Sequence, residues 1–167
     1  MLFVPVISVL LLIALDQASK RVAFDYLRPL GSVPLLDGFM DLCYVENKGA
    51  AFGLFQGGRW FFVALTCLVV TMLALNYAKL PKQKPYNWVR VSMALICAGA
   101  MGNCLDRLLF VYVIDFIRVT FIDFPVFNFA DIFVVTGTIL LAFIMIFIIK
   151  EQPPKEAVPE NATDSSA

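Results

Sequence analysis

WFFVALTCLVVTMLALNYA, residues 60–78, is a run of nineteen residues without a single charge. At about 1.5 Å of rise per residue, a helix of that length crosses most of the ~30 Å hydrocarbon layer of a bilayer. IFVVTGTILLAFIMIFII, residues 132–149, is a second charge-free run, of eighteen residues, closed by Lys150. Neither carries the polar stripe at helical period that a helix of a soluble bundle needs. Both read as membrane spans.

Working outward from these two runs, residues 88–105 carry one charge, Arg90, near their start. They contain Gly99, Ala100 and Gly102, small residues that permit close helix contact in lipid. Residues 1–15 are apolar apart from Pro5 and Ser8. Alone they cover only about 22 Å, so the helix must continue to about Phe24, which leaves Asp16 near one interface. A cleaved signal peptide is the rival reading of this segment, but no Lys or Arg precedes the apolar stretch and no A-x-A site follows it. The expectation is a membrane all-α fold with four transmembrane helices, at about 2–24, 60–78, 88–106 and 131–149. A small extracytoplasmic β platform would lie between helices 1 and 2, in the Gly- and Pro-punctuated loop of about 30–58. Residues 1–150 would form one membrane domain. The tail 151–167, rich in Glu, Pro, Ala, Asn and Ser, reads as disordered and cytoplasmic.

Composition agrees and narrows the chemistry. The chain of 167 residues is 60% hydrophobic and 16% charged, with a mean hydropathy of +0.83. Its 13 Lys and Arg balance 13 Asp and Glu, leaving no basic surplus for nucleic acid. Histidine is absent, which removes His-dependent triads, H-E-x-x-H metallopeptidases and nearly every common zinc site. Cys43, Cys67, Cys97 and Cys104 form no C-x-x-C pair, and packing suffices to explain them. No metal or cofactor is called for.

An even number of spans puts both termini on one side. Lys79, Lys82, Lys84 and Arg90, with no acid among them, mark the loop between spans two and three as cytoplasmic, and with it both termini. Asp16, Asp106, Asp115 and Asp131 then converge on the outer face. Carboxyls at span ends are costly and are functional candidates by default. Each also has a structural explanation: Asp16 pairing with Lys20 at i,i+4, Asp106 pairing with the adjacent Arg107, and Asp131 joining Asn128 in a helix cap. Asp115, in an apolar stretch from Leu108 to Ile117, is the hardest of the four to explain structurally.

Five segments resemble the motifs of bacterial lipoprotein signal peptidase, signal peptidase II, in order and approximate spacing. They are Asp16-Gln-Ala-Ser-Lys20, Asn47-Lys-Gly-Ala-Ala-Phe-Gly53, Gly99-Ala-Met-Gly-Asn-Cys-Leu-Asp-Arg107, Val113-Ile-Asp-Phe116 and Phe127-Asn-Phe-Ala-Asp131. Ser19 stands where the first motif often has threonine, and Ala98 where the third often begins with a second glycine. The resemblance implies an aspartic endopeptidase of the bacterial inner membrane that cuts prolipoproteins just before a diacylglyceryl-modified cysteine. Asp115 and Asp131 would be catalytic, and Asp16, Asn47, Gly49, Asn103, Asp106, Arg107 and Asn128 would line or brace the site. The partners implied are diacylglyceryl prolipoproteins and membrane lipids, with the enzyme a monomer. Two carboxyls suffice because like charges at close range resist ionising together, so one keeps a proton while the other acts as base. The sequence leaves open which is which. A proton-coupled transporter and a noncatalytic four-helix subunit are the rival readings.

Overall fold

The computed structural model describes residues 3–49 and 55–149. The expected tail 151–167, and Ala50 to Leu54 of the outer loop, lie outside the described residues. The chain is mostly helical, with one small antiparallel sheet.

Helix α1 spans Phe3–Val22 and runs on through a π turn, Ala23–Leu27, and one turn at Arg28–Leu30. Gly31, with φ +82°, takes a backbone shape that suits only glycine well, and turns the chain into strand β1, Ser32–Leu36. Strand β2 is Met40–Asn47. Helix α2, Arg59–Tyr77, follows, and then helix α3, Lys84–Phe110, which opens with Pro85 in its first turn. Strand β3, Val113–Val119, leads to helix α4, Phe129–Phe143, which continues through a π turn at Ile144–Ile148. Three of these helical stretches, Arg59–Tyr77, Lys84–Phe110 and Phe129–Ile148, are long and apolar enough to cross a membrane. The fourth long helix, α1, carries Asp16, Lys20 and Arg21 in its last two turns.

The pattern of exposure is that of a protein whose solvent is lipid. Leu11, Trp60, Ile139 and Ile146 are all more than 60% exposed, whereas Asp16, Ser92, Asp106 and Asn128 are wholly enclosed. In water this arrangement would forgo about 1–2 kcal/mol per large side chain; in hydrocarbon the outward apolar surface costs nothing, and the polar groups must find each other inside. Helix α3 is the central post against which α1, α2 and α4 all pack. Its small residues set the distance: a Cβ at Gly99 would collide with the carbonyl of Ala130, and one at Gly102 would lie 2.5 Å from Asp16 Oδ2. Helices α1 and α4 therefore touch α3 at backbone range where the aspartates lie.

The sheet runs β1-β2-β3, antiparallel throughout. Its third strand comes from the segment after α3, not from the loop between the first two spans to which the platform was assigned. VIDFIRV reads as a continuous apolar run rather than an alternating one, because its first five residues are buried; such a run has no period to separate strand from helix. Under the sheet, Ala23, Leu27, Ile114, Phe116 and Ile117 form one apolar cluster, and Val89, Met93 and Ile144 form another at the opposite end of the bundle.

Candidate active site

Asp131 is placed by the way α4 begins. Asn128 Oδ1 accepts from the Asp131 backbone N–H at 3.0 Å, and Asp131 Oδ2 accepts from the Asn128 backbone N–H at 3.1 Å, a reciprocal capping box. The capping role is thus real, but it occupies one oxygen only. The other, Oδ1, accepts from Asn103 Nδ2 on α3 at 2.7 Å.

Asp115 is placed by sheet register. Asn47 pairs with Val113 across β2 and β3, which sets it diagonal to Asp115 on the same face. Asn47 Nδ2 donates to Asp115 Oδ2 at 2.9 Å, and Asn128 Nδ2 donates to Asp115 Oδ1 at 2.6 Å. Phe127, immediately before Asn128, exchanges backbone hydrogen bonds with Ile117 at 2.9 and 3.0 Å. The start of α4 is therefore stitched to the strand that carries Asp115, and the intervening loop leaves and returns without separating the two aspartates.

Three asparagines surround the pair, and each has its oxygen held by a donor that cannot reverse. Asn47 Oδ1 accepts from the Gly49 backbone N–H at 3.0 Å, Asn103 Oδ1 from Lys20 Nζ at 2.9 Å, and Asn128 Oδ1 from the Asp131 backbone N–H. With their oxygens so occupied, all three amides turn NH₂ groups toward carboxylate oxygens. The pair sits in a cradle of donors.

Behind the cradle lies a buried charge cluster. Lys20 Nζ is 2.8 Å from Asp16 Oδ2 and 2.9 Å from Asp106 Oδ2, with all three side chains at most 2% exposed. Gln17 Nε2 donates to Asp106 Oδ1 at 2.8 Å and to Asp16 Oδ2 at 3.2 Å. Each acid also grips the residue before a member of the pair: Asp16 Oδ1 accepts from the Ala130 N–H at 2.9 Å, and Asp106 Oδ2 from the Ile114 N–H at 3.2 Å. Asp106 thus pairs with Lys20 of α1, not with its neighbour Arg107. Arg107 instead donates to Gly49 O at 3.1 Å and Asn103 O at 3.2 Å, and lies over the Phe62 ring at 4.4 Å. All nine residues singled out in the sequence fall in one connected network. Sequence reasoning left out Lys20 and Gln17 as members of the site. Both stand in the first motif, and a lysine one turn after an aspartate on an apolar helix was the available signal.

Burial pushes the Asp115 carboxyl up to about 7; the negative charge of Asp131 adds to the rise, while the amides of Asn47 and Asn128 and the charge of Lys20 oppose it. Beside Asp131 a cleft of about 300 Å³ opens between α2, α3 and α4, walled by Phe62, Leu65 and Val134 with Asn103 and Arg107 at its polar end.

A bundle of lipid-facing helices around two carboxyls in a donor cradle defines a class of protein, the membrane-embedded aspartic peptidases. The chain belongs to the signal peptidase II family: the family described as Signal peptidase (SPase) II matches it over residues 8–147. It is 44% identical over 143 residues to a lipoprotein signal peptidase of Caldanaerobacter subterraneus subsp. tengcongensis, covering 85% of this chain and 95% of the relative. It is 42% identical over 137 residues to one of Streptococcus pyogenes serotype M6, covering 81% and 88%. A bacterial membrane enzyme solved by the in meso method at 2.3 Å resolution superposes with a TM-score of 0.78 at 27% identity, over 87% of this chain and 88% of that one. The chain is accordingly a peptidase and an integral protein of the bacterial inner membrane.

Proposed function

We propose that Asp115 and Asp131 are the catalytic pair of this enzyme, which removes the signal peptide from prolipoproteins, and that it cuts just before a diacylglyceryl-modified cysteine. The observation that carries the assignment is the donor cradle: two carboxyls from different elements meet among amides whose orientation is fixed. A pair so placed shares one proton near neutral pH. Asp115, the carboxyl pushed up to about 7, keeps it.

Asp131, ionised and steadied by Asn103 and the Asn128 backbone, takes a proton from a water whose oxygen attacks the scissile carbonyl carbon. Protonated Asp115 donates to the carbonyl oxygen as it gains negative charge. The tetrahedral species collapses when the proton held by Asp131 passes to the leaving nitrogen, the C–N bond breaks, and the hydroxyl that Asp115 had protonated returns its proton to Asp115 as the carbonyl re-forms. The products are a signal peptide ending in a carboxylate and a free amino group on the lipidated cysteine. The cleft beside Asp131 is apolar along its walls, as an acyl-bearing residue requires, and burial of each CH₂ is worth roughly 0.8 kcal/mol.

In this reading α1 is a fourth span, both termini face the cytoplasm, and the sheet and aspartates lie on the outer face. The Lys79–Arg90 segment supports that orientation.

A gel-shift cleavage assay in detergent tests the assignment. Diacylglyceryl-modified prolipoprotein is cut by the wild type and the unlipidated precursor is not, and Asp115→Asn and Asp131→Asn each lose at least about 10³-fold in turnover while remaining folded. Near-normal turnover by either variant removes that residue from the pair.

A further inference from the structure

In the half of the bundle away from the aspartates, α1, α2 and α3 enclose a second groove, of about 350 Å³. Val9 and Ile13 of α1, Leu73 and Tyr77 of α2, and Met93 and Cys97 of α3 line it, and it contributes almost nothing polar. It shares no lining residue with the cleft beside Asp131, which takes Ala100, Asn103 and Arg107 from α3.

The groove ends at Tyr77, and the chain that leaves Tyr77 is basic. Lys79, Lys82 and Lys84 are all exposed, and no acidic residue occurs between Asn47 and Leu105. Arg90 holds this turn in place. Its Nη2 donates to Leu80 O at 3.0 Å and Pro81 O at 2.8 Å, its Nη1 to Asn87 Oδ1 at 3.1 Å, and its guanidinium lies 5.8 Å over the Tyr77 ring. With Arg90 so engaged, the three lysines carry the exposed positive charge of the turn. An apolar slot thus ends at a turn that carries three exposed lysines and, among the described residues of its own segment, no acid.

We propose that this groove is a binding site for an anionic phospholipid of the leaflet on the Lys79–Lys84 side, one acyl chain lying in the slot and the phosphate meeting the lysines. The site is independent of the carboxyl pair. Lysines next to a bilayer surface attract anionic headgroups, and an apolar slot by itself does not distinguish one headgroup from another. Headgroup preference must therefore come from the turn, and retention from the slot.

Native mass spectrometry of the detergent-purified full chain with phosphatidylglycerol and phosphatidylcholine of identical acyl chains tests this. The wild type retains phosphatidylglycerol at least about tenfold better. The triple variant Lys79→Gln, Lys82→Gln, Lys84→Gln loses the preference, and Ala94→Trp, at a lining position between Met93 and Cys97, fills the slot and loses retention of both lipids. Cleavage of lipidated precursor by each variant shows that it is folded, and it also separates failure here from failure of the peptidase assignment. Equal retention of the two lipids by the wild type overturns the proposal, as does a triple variant that keeps its preference. Displacement of the phospholipid by lipidated precursor would assign the slot to substrate. A dimer that dissociates in Ala94→Trp would assign it to a second copy of the chain, and either result overturns the proposal.

Discussion

Asp131 caps the start of α4 through Oδ2 and accepts from Asn103 of α3 through Oδ1, so its structural duty leaves one oxygen to a neighbour outside its own helix. Asp115 caps no helix, and in the proposed mechanism it is the group whose titration activity follows. Because its carboxyl is pushed up to about 7, it is protonated and able to donate below that pH and ionised above it. The rate of cleavage is expected to fall as pH rises through about 7. Asn47 donates to the ionised form, so Asn47→Ala moves this alkaline limb to higher pH as well as lowering the rate, as a pH series of kcat/KM would register. Stability follows with the sign of a raised acid. In the interval from about 4 to about 7 the folded chain holds a proton the unfolded chain has lost, so the folded state weakens as pH rises. The thermal midpoint in detergent declines from pH 5 to pH 8, and the decline shrinks in Asp115→Asn. Most of these residues could be found in the sequence because carboxyls and amides stand out on apolar elements. What could not be found was who holds whom: Asp106 sits beside Arg107 in the chain, yet its partner Lys20 lies on another helix.

The elements divide in the same way. Long charge-free runs announce helices, and α2 and α4 are visible at a glance for that reason. Helix ends are less visible. Helix α3 continues to Phe110 and stops at Val111, a β-branched residue in the left-handed region at φ 72°, where no glycine marks the exit. Strand β3 is hidden because burial on both faces erases alternation. Helix contact, by contrast, is written plainly in Gly99 and Gly102. Gly99→Val is expected to wedge α3 from α4, because even a Cβ there meets the carbonyl of Ala130. The cost is about 1–3 kcal/mol, read as a lower thermal midpoint, together with loss of cleavage although Asp115 and Asp131 are untouched.

At the scale of the whole molecule, the arrangement is inverted relative to a soluble enzyme, with apolar side chains outward and charge in the middle. The orientation in the membrane is a prediction of that scale. In a chain with Cys43, Cys67, Cys97 and Cys104 replaced, Asp37→Cys should react with a membrane-impermeant maleimide in spheroplasts, and Lys82→Cys only after lysis. The reverse pattern would turn the molecule over.

The grip of Asp16 and Asp106 on the residues preceding the two aspartates has a consequence for how the enzyme comes into being. Asp16 and Lys20 arrive with α1, Asp106 with α3, and the aspartates with β3 and α4, so the spacing of the pair is not stored in any one segment. A nascent chain emerging into the bilayer piece by piece receives the groups that grip the pair's neighbours first and the two aspartates last. On the proposed assignment, proteolytic competence appears only when the last helix has docked against the first and third.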